Sequence, residues 1–211
     1  MLIVGLTGGI GSGKSSACRV FERLGAKLVD SDSLARRVVE PGREALVRIR
    51  GRFGEGVVKA DGTLDREKLG DIVFNDDGAL ADLNGIVHPA VYAELAAEIE
   101  AYKKSPGDRI LMLDIPLLYE SDGEKIVDCV VVVWVDKETQ IRRLTARDGF
   151  TREEAINRIE KQMDLDEKKR RADFVVDNTG SLEDLDRRVT EVCGKLAGLN
   201  KERSQWAGQR K

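Results

Sequence analysis

Short, continuously apolar runs alternate along the chain with segments whose apolar positions recur every three or four residues. Five runs have the character of buried strands, at residues 2–7, 26–30, 109–114, 127–135 and 174–177. Helical periodicity covers residues 14–24, 34–39, 43–53, 66–74, 89–102, 136–147, 151–171 and 182–196. This alternation predicts an α/β fold: a right-handed parallel sheet of about five strands flanked by helices.

The helical block between the second and third strands is far longer than a plain βαβ crossover requires. It contains a predicted turn at Lys59-Ala60-Asp61-Gly62, and a second turn, Ser105 to Asp108, precedes the third strand. The block is neither of low complexity nor rich in proline and glycine, so we interpret residues 33–105 as an inserted subdomain. The polar, cationic segment 200–211 has the composition of a disordered terminal tail.

One glycine-rich motif joins the first predicted strand to the first predicted helix. Residues Gly8 to Ser15 read G-G-I-G-S-G-K-S and fit the phosphate-binding pattern G-x-x-x-x-G-K-[ST]. Glycines let the backbone come close to a ligand, and successive N–H groups together with the helix dipole then attract phosphate oxygens. Lys14 supplies a positive charge to the β- and γ-phosphates, and the Ser15 hydroxyl can ligate Mg²⁺. The motif predicts a nucleotide-phosphate site.

Composition and charge exclude several other classes of protein. The 211 residues are 41 % hydrophobic and carry a formal net charge of −3, so no basic field suggests a nucleic-acid partner. No apolar run approaches the roughly 20 residues needed to span a bilayer, and no secretory signal precedes the phosphate loop. The three widely spaced cysteines form neither a disulfide framework nor a zinc site, which favours a reducing cytoplasm. No obligate protein partner is evident.

A protein with a nucleotide-phosphate site can be a kinase, a GTPase switch or an ATPase that drives a partner. A GTPase switch needs an N-K-x-D motif for guanine, and Asn200-Lys201-Glu202-Arg203 lacks the final aspartate. An ATPase that drives a partner is less easily excluded. A kinase is favoured by Asp32, which follows the second strand and can align an acceptor hydroxyl and accept its proton. The alternative for Asp32 is a cap on the helix that begins at Ser33.

A cluster of arginines likewise has both a functional and a structural interpretation. Arg143 and Arg147 are four residues apart on one predicted helix face, and they can close over a triphosphate and balance the charge that develops in transfer. The alternative is a solvated face with exposed ion pairs, which we favour for Arg142. The charged segment that follows contains Gln162 and Lys168, for which lid contact and solvation both remain open.

An ordered set of motifs resembles the dephospho-CoA kinase family over the whole chain up to about Leu196. The set comprises Leu6 to Ser15, Val29-Asp30-Ser31-Asp32 with Arg36, Val39-Glu40-Pro41-Gly42, Asp61-Gly62-Thr63-Leu64, His88-Pro89, Asp114 to Glu120, Arg143 with Arg147-Asp148, Gln162, Ala172-Asp173 and Asp177-Asn178. Ser16 stands where the family often has Thr, and Ser31 where Ala is common. The phosphate loop alone would not select this family, but the ordered spacings do.

The resemblance implies ATP- and Mg²⁺-dependent phosphorylation of the ribose 3′-hydroxyl of dephospho-CoA, a small-molecule substrate, to give CoA and ADP. It implies one kinase unit over 1–199, with a core (1–32, 106–136, 173–199), a substrate-binding helical part (33–105) and a lid (137–172). Its implied site residues group by ligand. The ATP side would comprise Gly9, Ile10, Gly11, Ser12, Gly13, Lys14, Ser15, Ser16, Arg143, Arg147 and Asn178, the last beside adenine. The dephospho-CoA side would comprise Asp32 as base, Arg36, His88, Pro116, Leu117 and Leu118.

Two of these positions keep a structural alternative. His88, the one histidine of the chain, precedes Pro89 and would ordinarily be a helix-cap or turn residue; the resemblance favours substrate contact. Asp114 ends a strand behind the phosphate loop, where an acid can be an outer-sphere Mg²⁺ partner or a strand-end cap.

Overall fold

The computed structural model describes residues 1–74, 76–104 and 109–208, and for 204–208 the backbone only. The predicted turn at 105–108 lies outside these residues. Contacts divide the chain into two compact units, the first Met1–Val29 with Tyr102–Lys211, the second Asp30–Ala101.

The five predicted strands form one sheet. They are β1 (Leu2–Gly8), β2 (Lys27–Asp30), β3 (Ile110–Asp114), β4 (Cys129–Trp134) and β5 (Phe174–Asp177), in the order β2-β3-β1-β4-β5. β1 pairs in parallel with β3 and with β4, and β4 pairs in parallel with β5. Every residue of the central strand β1 is buried, as its continuous apolar run predicts. The predicted fold class, a parallel sheet of the P-loop kinase type flanked by helices, is confirmed.

Helices connect and cover these strands. They are α1 (Lys14–Arg23), α2 (Ser31–Arg37), α3 (Glu44–Phe53), α4 (Arg66–Phe74), α5 (Asp77–Lys103), α6 (Lys137–Asp148), α7 (Arg152–Glu160), α8 (Leu165–Arg171) and α9 (Leu182–Gly208). In the first unit, Phe21 of α1 and Val189 of α9 join Leu6 and Val131 of the sheet in one buried apolar cluster. In the second unit, Leu46 and Ile49 of α3 pack with Ile86 of α5.

Two helices differ from the sequence prediction in length. Helix α5 begins at Asp77 rather than Pro89, so His88 and Pro89 lie inside it and His88 is no cap. Proline removes one helical hydrogen bond, but Ile86 before it and Val91 after it both pack in the apolar cluster of the second unit. Helix α9 continues past Leu196 to Gly208, so the segment from 200, expected as a tail, is helical through Gly208. Its Asn200 is buried.

The charged segment 151–171 is two helices and not one. Thr151 and Glu154 form a reciprocal capping box at the start of α7, and Asp164 accepts hydrogen bonds from the backbone of Asp166 and Glu167 at the start of α8. A four-residue connection, 161–164, separates them.

The second unit contains the predicted turn at 59–62. Gly62 has φ +82°, its N–H donates to Lys59 O over 2.9 Å, and Val58 and Leu64 form an antiparallel bridge across the turn. Over the ranges that the structure describes, none of the helices combines the length and apolarity that a membrane crossing requires.

Candidate active site

The phosphate loop lies between β1 and α1, and its glycines are required by packing as well as by backbone angles. Gly11 and Gly13 have φ +77° and +85°, a region that other residues avoid. A Cβ on Gly13 would lie 2.2 Å from Asn178 Nδ2, and one on Gly8 would lie 2.6 Å from Ser12 Oγ. Larger residues at either position would therefore displace the loop or its neighbours.

The start of α1 presents backbone donors. Gly13 is the N-cap residue and supplies no side-chain cap. Ser12 N donates to Gly9 O over 3.0 Å, but none of the hydrogen bonds in the described part of the chain uses the amides of Gly13, Lys14 or Ser15. Such amides, with the positive end of the helix dipole, form an anion site. The Ser15 side chain is exposed beside them, and Ser16 Oγ accepts a hydrogen bond from Arg19.

Lys14 and Asp114 form an ion pair behind the loop. Asp114 ends β3 and is 7 % exposed, and its second oxygen accepts a hydrogen bond from the Cys18 thiol over 3.3 Å. Burial, and then the Asp114 charge, raise the pKa of Cys18 to about 12, so the thiol keeps its proton and acts as a donor. Asp114 therefore orients Lys14, a role that neither alternative in the sequence analysis included.

Arg143 and Asn178 hold the carbonyl side of the loop. Ser12 O accepts from Asn178 Nδ2 over 2.7 Å and from Arg143 Nη1 over 3.2 Å, and Arg143 Nη2 donates to Asn178 O over 2.8 Å. Burial lowers the pKa of Arg143, and the neighbouring Arg142 adds to this. Arg143 and Asn178, both predicted on the ATP side, are thus next to the loop, but their described hydrogen bonds are with its backbone and with each other.

Two glutamines bind the middle of the same loop. Gln140 Nε2 donates to Ile10 O over 2.7 Å, and Ile10 N donates to Gln162 Oε1 over 2.9 Å. Gln162 therefore contacts the loop rather than solvent alone. Sequence reasoning did not single out Gln140, although it lies three residues before Arg143 and so on the same face of α6.

Lys168 is wholly buried and joins α8 to the segment after β3. Its Nζ pairs with Glu120 Oε1 at 2.8 Å and donates to Pro116 O over 3.0 Å, an oxygen that also accepts from Thr7 Oγ1 over 2.9 Å. Burial lowers the pKa of Lys168, while Glu120 opposes the shift. Lys168 is therefore an internal cation, and the solvated alternative is wrong.

The remaining predicted residues of the first unit are Arg147 and the turn residues after β3. Arg147 is exposed and makes two hydrogen bonds of 2.8 Å with its neighbour Asp148. Leu118 is wholly buried against Gly5, so of the predicted turn residues Leu117 is the one with a large exposed side chain. The residues that the structure describes contain no group of three or more His, Cys, Asp or Glu side chains arranged to hold a metal ion.

In the second unit, the predicted residues Asp32, Arg36 and His88 lie at exposed positions of two helices, α2 and α5. Asp30, not Asp32, caps α2: its carboxylate accepts from Asp32 N over 2.9 Å and from Ser33 Oγ over 2.7 Å. Asp32 lies in the first turn of α2, four residues from Arg36 on one face of the helix. His88 is exposed in the middle of α5.

Comparisons with known proteins agree on one family. A family model described as dephospho-CoA kinase (CoaE) matches residues 2–184. A dephospho-CoA kinase of Bacillus licheniformis is 44 % identical over 200 residues, which is 95 % of this chain and 99 % of that protein. A solved dephospho-CoA kinase from Campylobacter jejuni aligns with TM-score 0.72 and 27 % identity, over 94 % of this chain and 98 % of that one. TT1252 from Thermus thermophilus aligns with TM-score 0.75 and 37 % identity, over 92 % and 97 %.

Proposed function

The chain belongs to the dephospho-CoA kinase family, and we propose how its residues divide the family's reaction among them. That reaction is the ATP-dependent phosphorylation of dephospho-CoA, at the ribose 3′-hydroxyl, to give CoA and ADP in coenzyme A biosynthesis. The observation that carries the assignment of roles is the loop itself, with open amides at the start of α1 and Lys14 behind them. The proposal takes dephospho-CoA as a small-molecule substrate and the cytoplasm as the location, which the free cysteines support.

We assign the triphosphate of ATP to the loop. The amides of Gly13, Lys14 and Ser15 would bind its phosphate oxygens, and Lys14, already oriented by Asp114, would supply positive charge to the β- and γ-phosphates. Gly9, Ile10, Gly11, Ser12 and Ser16 complete the loop and the first turn of the helix. Arg143 and Asn178 support this site by holding Ser12 O, which leaves their predicted direct contacts with ATP as a separate hypothesis.

The donor set beside the loop fits Mg²⁺. An exposed Ser15 hydroxyl and the phosphate oxygens of ATP are the hard oxygen ligands that this ion prefers. Both oxygens of Asp114 already have partners, Lys14 and Cys18, so Asp114 suits an outer-sphere position. When bound, the ion would neutralise charge on the β- and γ-phosphates.

We propose direct in-line transfer with Asp32 as the base. Asp32 would accept the proton of the 3′-hydroxyl while that oxygen bonds to the γ-phosphorus and the bond from the γ-phosphorus to the bridging oxygen of ADP breaks. The position of Asp32 supports this role, because it lies in the first turn of α2, directly after the carboxyl end of β2. Arg36, His88, Pro116 and Leu117 remain proposed contacts of dephospho-CoA, and Arg147 a proposed contact of the ATP phosphates. Leu118, wholly buried, is reassigned to packing.

The test follows ADP release from ATP and Mg²⁺ with a panel of hydroxyl acceptors. We expect release that depends on dephospho-CoA, with one CoA formed for each ADP. Release without an acceptor would indicate an ATPase, and a preference for GTP would indicate a switch.

The same assay tests the assigned residues. Lys14→Ala and Asp32→Ala should each lose at least about 100-fold in kcat, with unchanged circular dichroism. Near-normal turnover of Asp32→Ala would remove it from the base role. Glu40→Ala, at an exposed position between α2 and α3, is the control for a lost carboxylate near the same helix.

A further inference from the structure

Ile10, in the middle of the phosphate loop, has both backbone polar groups held by glutamine side chains. Gln140 reaches its carbonyl oxygen from α6, at 2.7 Å, and Gln162 accepts from its N–H at 2.9 Å. Gln140 is only 3 % exposed, so its amide cannot exchange this partner freely for water. Gln162 belongs to the connection 161–164 between α7 and α8.

The carbonyl contact controls the direction of the next amide. The peptide bond between Ile10 and Gly11 is trans, so its C=O and N–H point in opposite directions. Holding Ile10 O toward Gln140 therefore turns the Gly11 N–H to the opposite side. None of the hydrogen bonds in the described ranges uses that N–H, and an amide of this kind is the donor that a phosphate oxygen requires.

Both glutamines depend on neighbouring features that keep them in place. Gly9 leaves the space for Gln140, since a Cβ there would lie 2.6 Å from Gln140 Nε2. The connection that carries Gln162 is fixed at the next residue, because Met163 N donates to Glu120 Oε1 over 2.9 Å. The pair of contacts is therefore anchored independently on α6 and on the segment after β3.

We propose that Gln140 and Gln162 are positioning residues, which fix the peptide groups on both sides of Ile10 and so keep the loop in its phosphate-binding geometry. Through Gln162, the α7–α8 connection acts directly on the loop. The inference rests on the proposed function only in taking the loop as the site of the nucleotide phosphates.

The test uses Gln162→Met and Gln140→Met, which keep side-chain length and add no charge. Lys137→Met is the matched control: it removes the exposed ion pair between Lys137 of α6 and Glu160 of α7 and leaves Ile10 untouched. Calorimetry measures the affinity for ADP without an acceptor and, separately, that for dephospho-CoA. Hydrogen exchange measures the protection of the Ile10 amide, and thermal unfolding reports on the fold.

We expect faster exchange at Ile10 in Gln162→Met and about 5- to 10-fold weaker ADP binding in both glutamine variants. The affinity for dephospho-CoA should be unchanged, and Lys137→Met should behave like the natural chain. Gln162→Glu still offers an acceptor to the Ile10 N–H and should restore slow exchange. Because Gln162 is only partly buried, its variants test the inference even if Gln140→Met folds poorly.

Faster exchange at Ile10 with unchanged ADP affinity would overturn the proposal, as would an equal loss of ADP affinity in Lys137→Met. ADP binding needs no acceptor, so this result is independent of whether dephospho-CoA proves to be the substrate.

Discussion

The buried pair of Lys168 and Glu120 leads to a prediction of unequal costs. The lysine side chain is 0 % exposed, whereas that of Glu120 is 22 % exposed. Removing the Glu120 charge therefore leaves the Lys168 ammonium without its counter-ion and out of contact with water. Removing Lys168 leaves a carboxylate that water reaches. We compare Glu120→Gln, Lys168→Met and the double variant.

The contacts of the pair determine how much folding stability each variant should lose. In Glu120→Gln the side-chain oxygen can still accept from Lys168 Nζ and Met163 N, so the change removes mainly charge. Breaking a buried pair in this way costs about 3–5 kcal/mol. The loss of stability at pH 7 cannot exceed about 5 kcal/mol, because Lys168 can lose its proton instead of staying charged. Losing the proton at pH 7 costs about 1.4 kcal/mol for each pKa unit between pH 7 and the usual lysine value. Lys168→Met keeps the buried chain length and should cost about 1–2 kcal/mol.

Denaturant unfolding at pH 7 measures these free energies. The double variant should have the same free energy of unfolding as Lys168→Met, because both lack the buried Lys168 charge. If Glu120→Gln proves no more destabilising than Lys168→Met, the lysine is not in a dry environment and the reasoning fails.

The pH dependence of unfolding gives a second check with a defined sign. Burial lowers the pKa of Lys168 in the folded chain. Between that lowered pKa and the usual lysine value of about 10.4, the unfolded chain binds more protons than the folded one, so this group makes stability rise with pH. The rise should begin at lower pH in Glu120→Gln and be absent in Lys168→Met.

Three further changes test the loop and its surroundings. Gly13→Ala combines left-handed backbone strain of about 1–2 kcal/mol with a clash against Asn178, so calorimetry should find ADP binding weakened more than tenfold. Gly25→Ala, at φ +92° in open space, is the control for strain alone. Equal effects of the two variants on thermal unfolding would contradict the clash. Burial raises the pKa values of Cys18 and Cys129 to about 12. Iodoacetamide at about pH 8 should therefore label both thiols far more slowly in the folded than in the unfolded protein, as measured by mass spectrometry. Equal labelling rates would argue against a dry environment of these thiols. Arg147→Ala should leave thermal unfolding within about 0.5 kcal/mol, since its partner Asp148 is its neighbour on an exposed surface, and should raise the KM for ATP; an unchanged KM would remove Arg147 from the phosphate site.

Local patterns were sufficient to predict the sheet and the loop. Each strand contains a short apolar run, and the phosphate motif occupies only eight consecutive positions, Gly8 to Ser15, at the junction of β1 and α1. The pattern was wrong where packing overrides a local rule. A proline such as Pro89 usually marks a helix start, but Ile86 before it and Val91 after it pack in the apolar cluster of the second unit, and α5 continues through it.

Long-range contacts decided what the side chains around the loop do. The contacts of Gln140 and Gln162 with Ile10 and of Asn178 with Ser12 join residues 130 or more positions apart. No periodicity encodes such a pair, because periodicity reports which face of an element is apolar and not what another element brings opposite to it.

By itself, the sequence determined the strands, the phosphate loop, an acid after β2 and the ordered motif set that resembles the kinase family, since local backbone conformation follows from neighbouring residues. Only the tertiary structure decided that Lys168 is an internal cation and that side chains of α6 and of the segment after β5 hold the loop's carbonyls. Hydrogen-bond partners and burial depend on which distant elements meet, and that is settled when the chain packs.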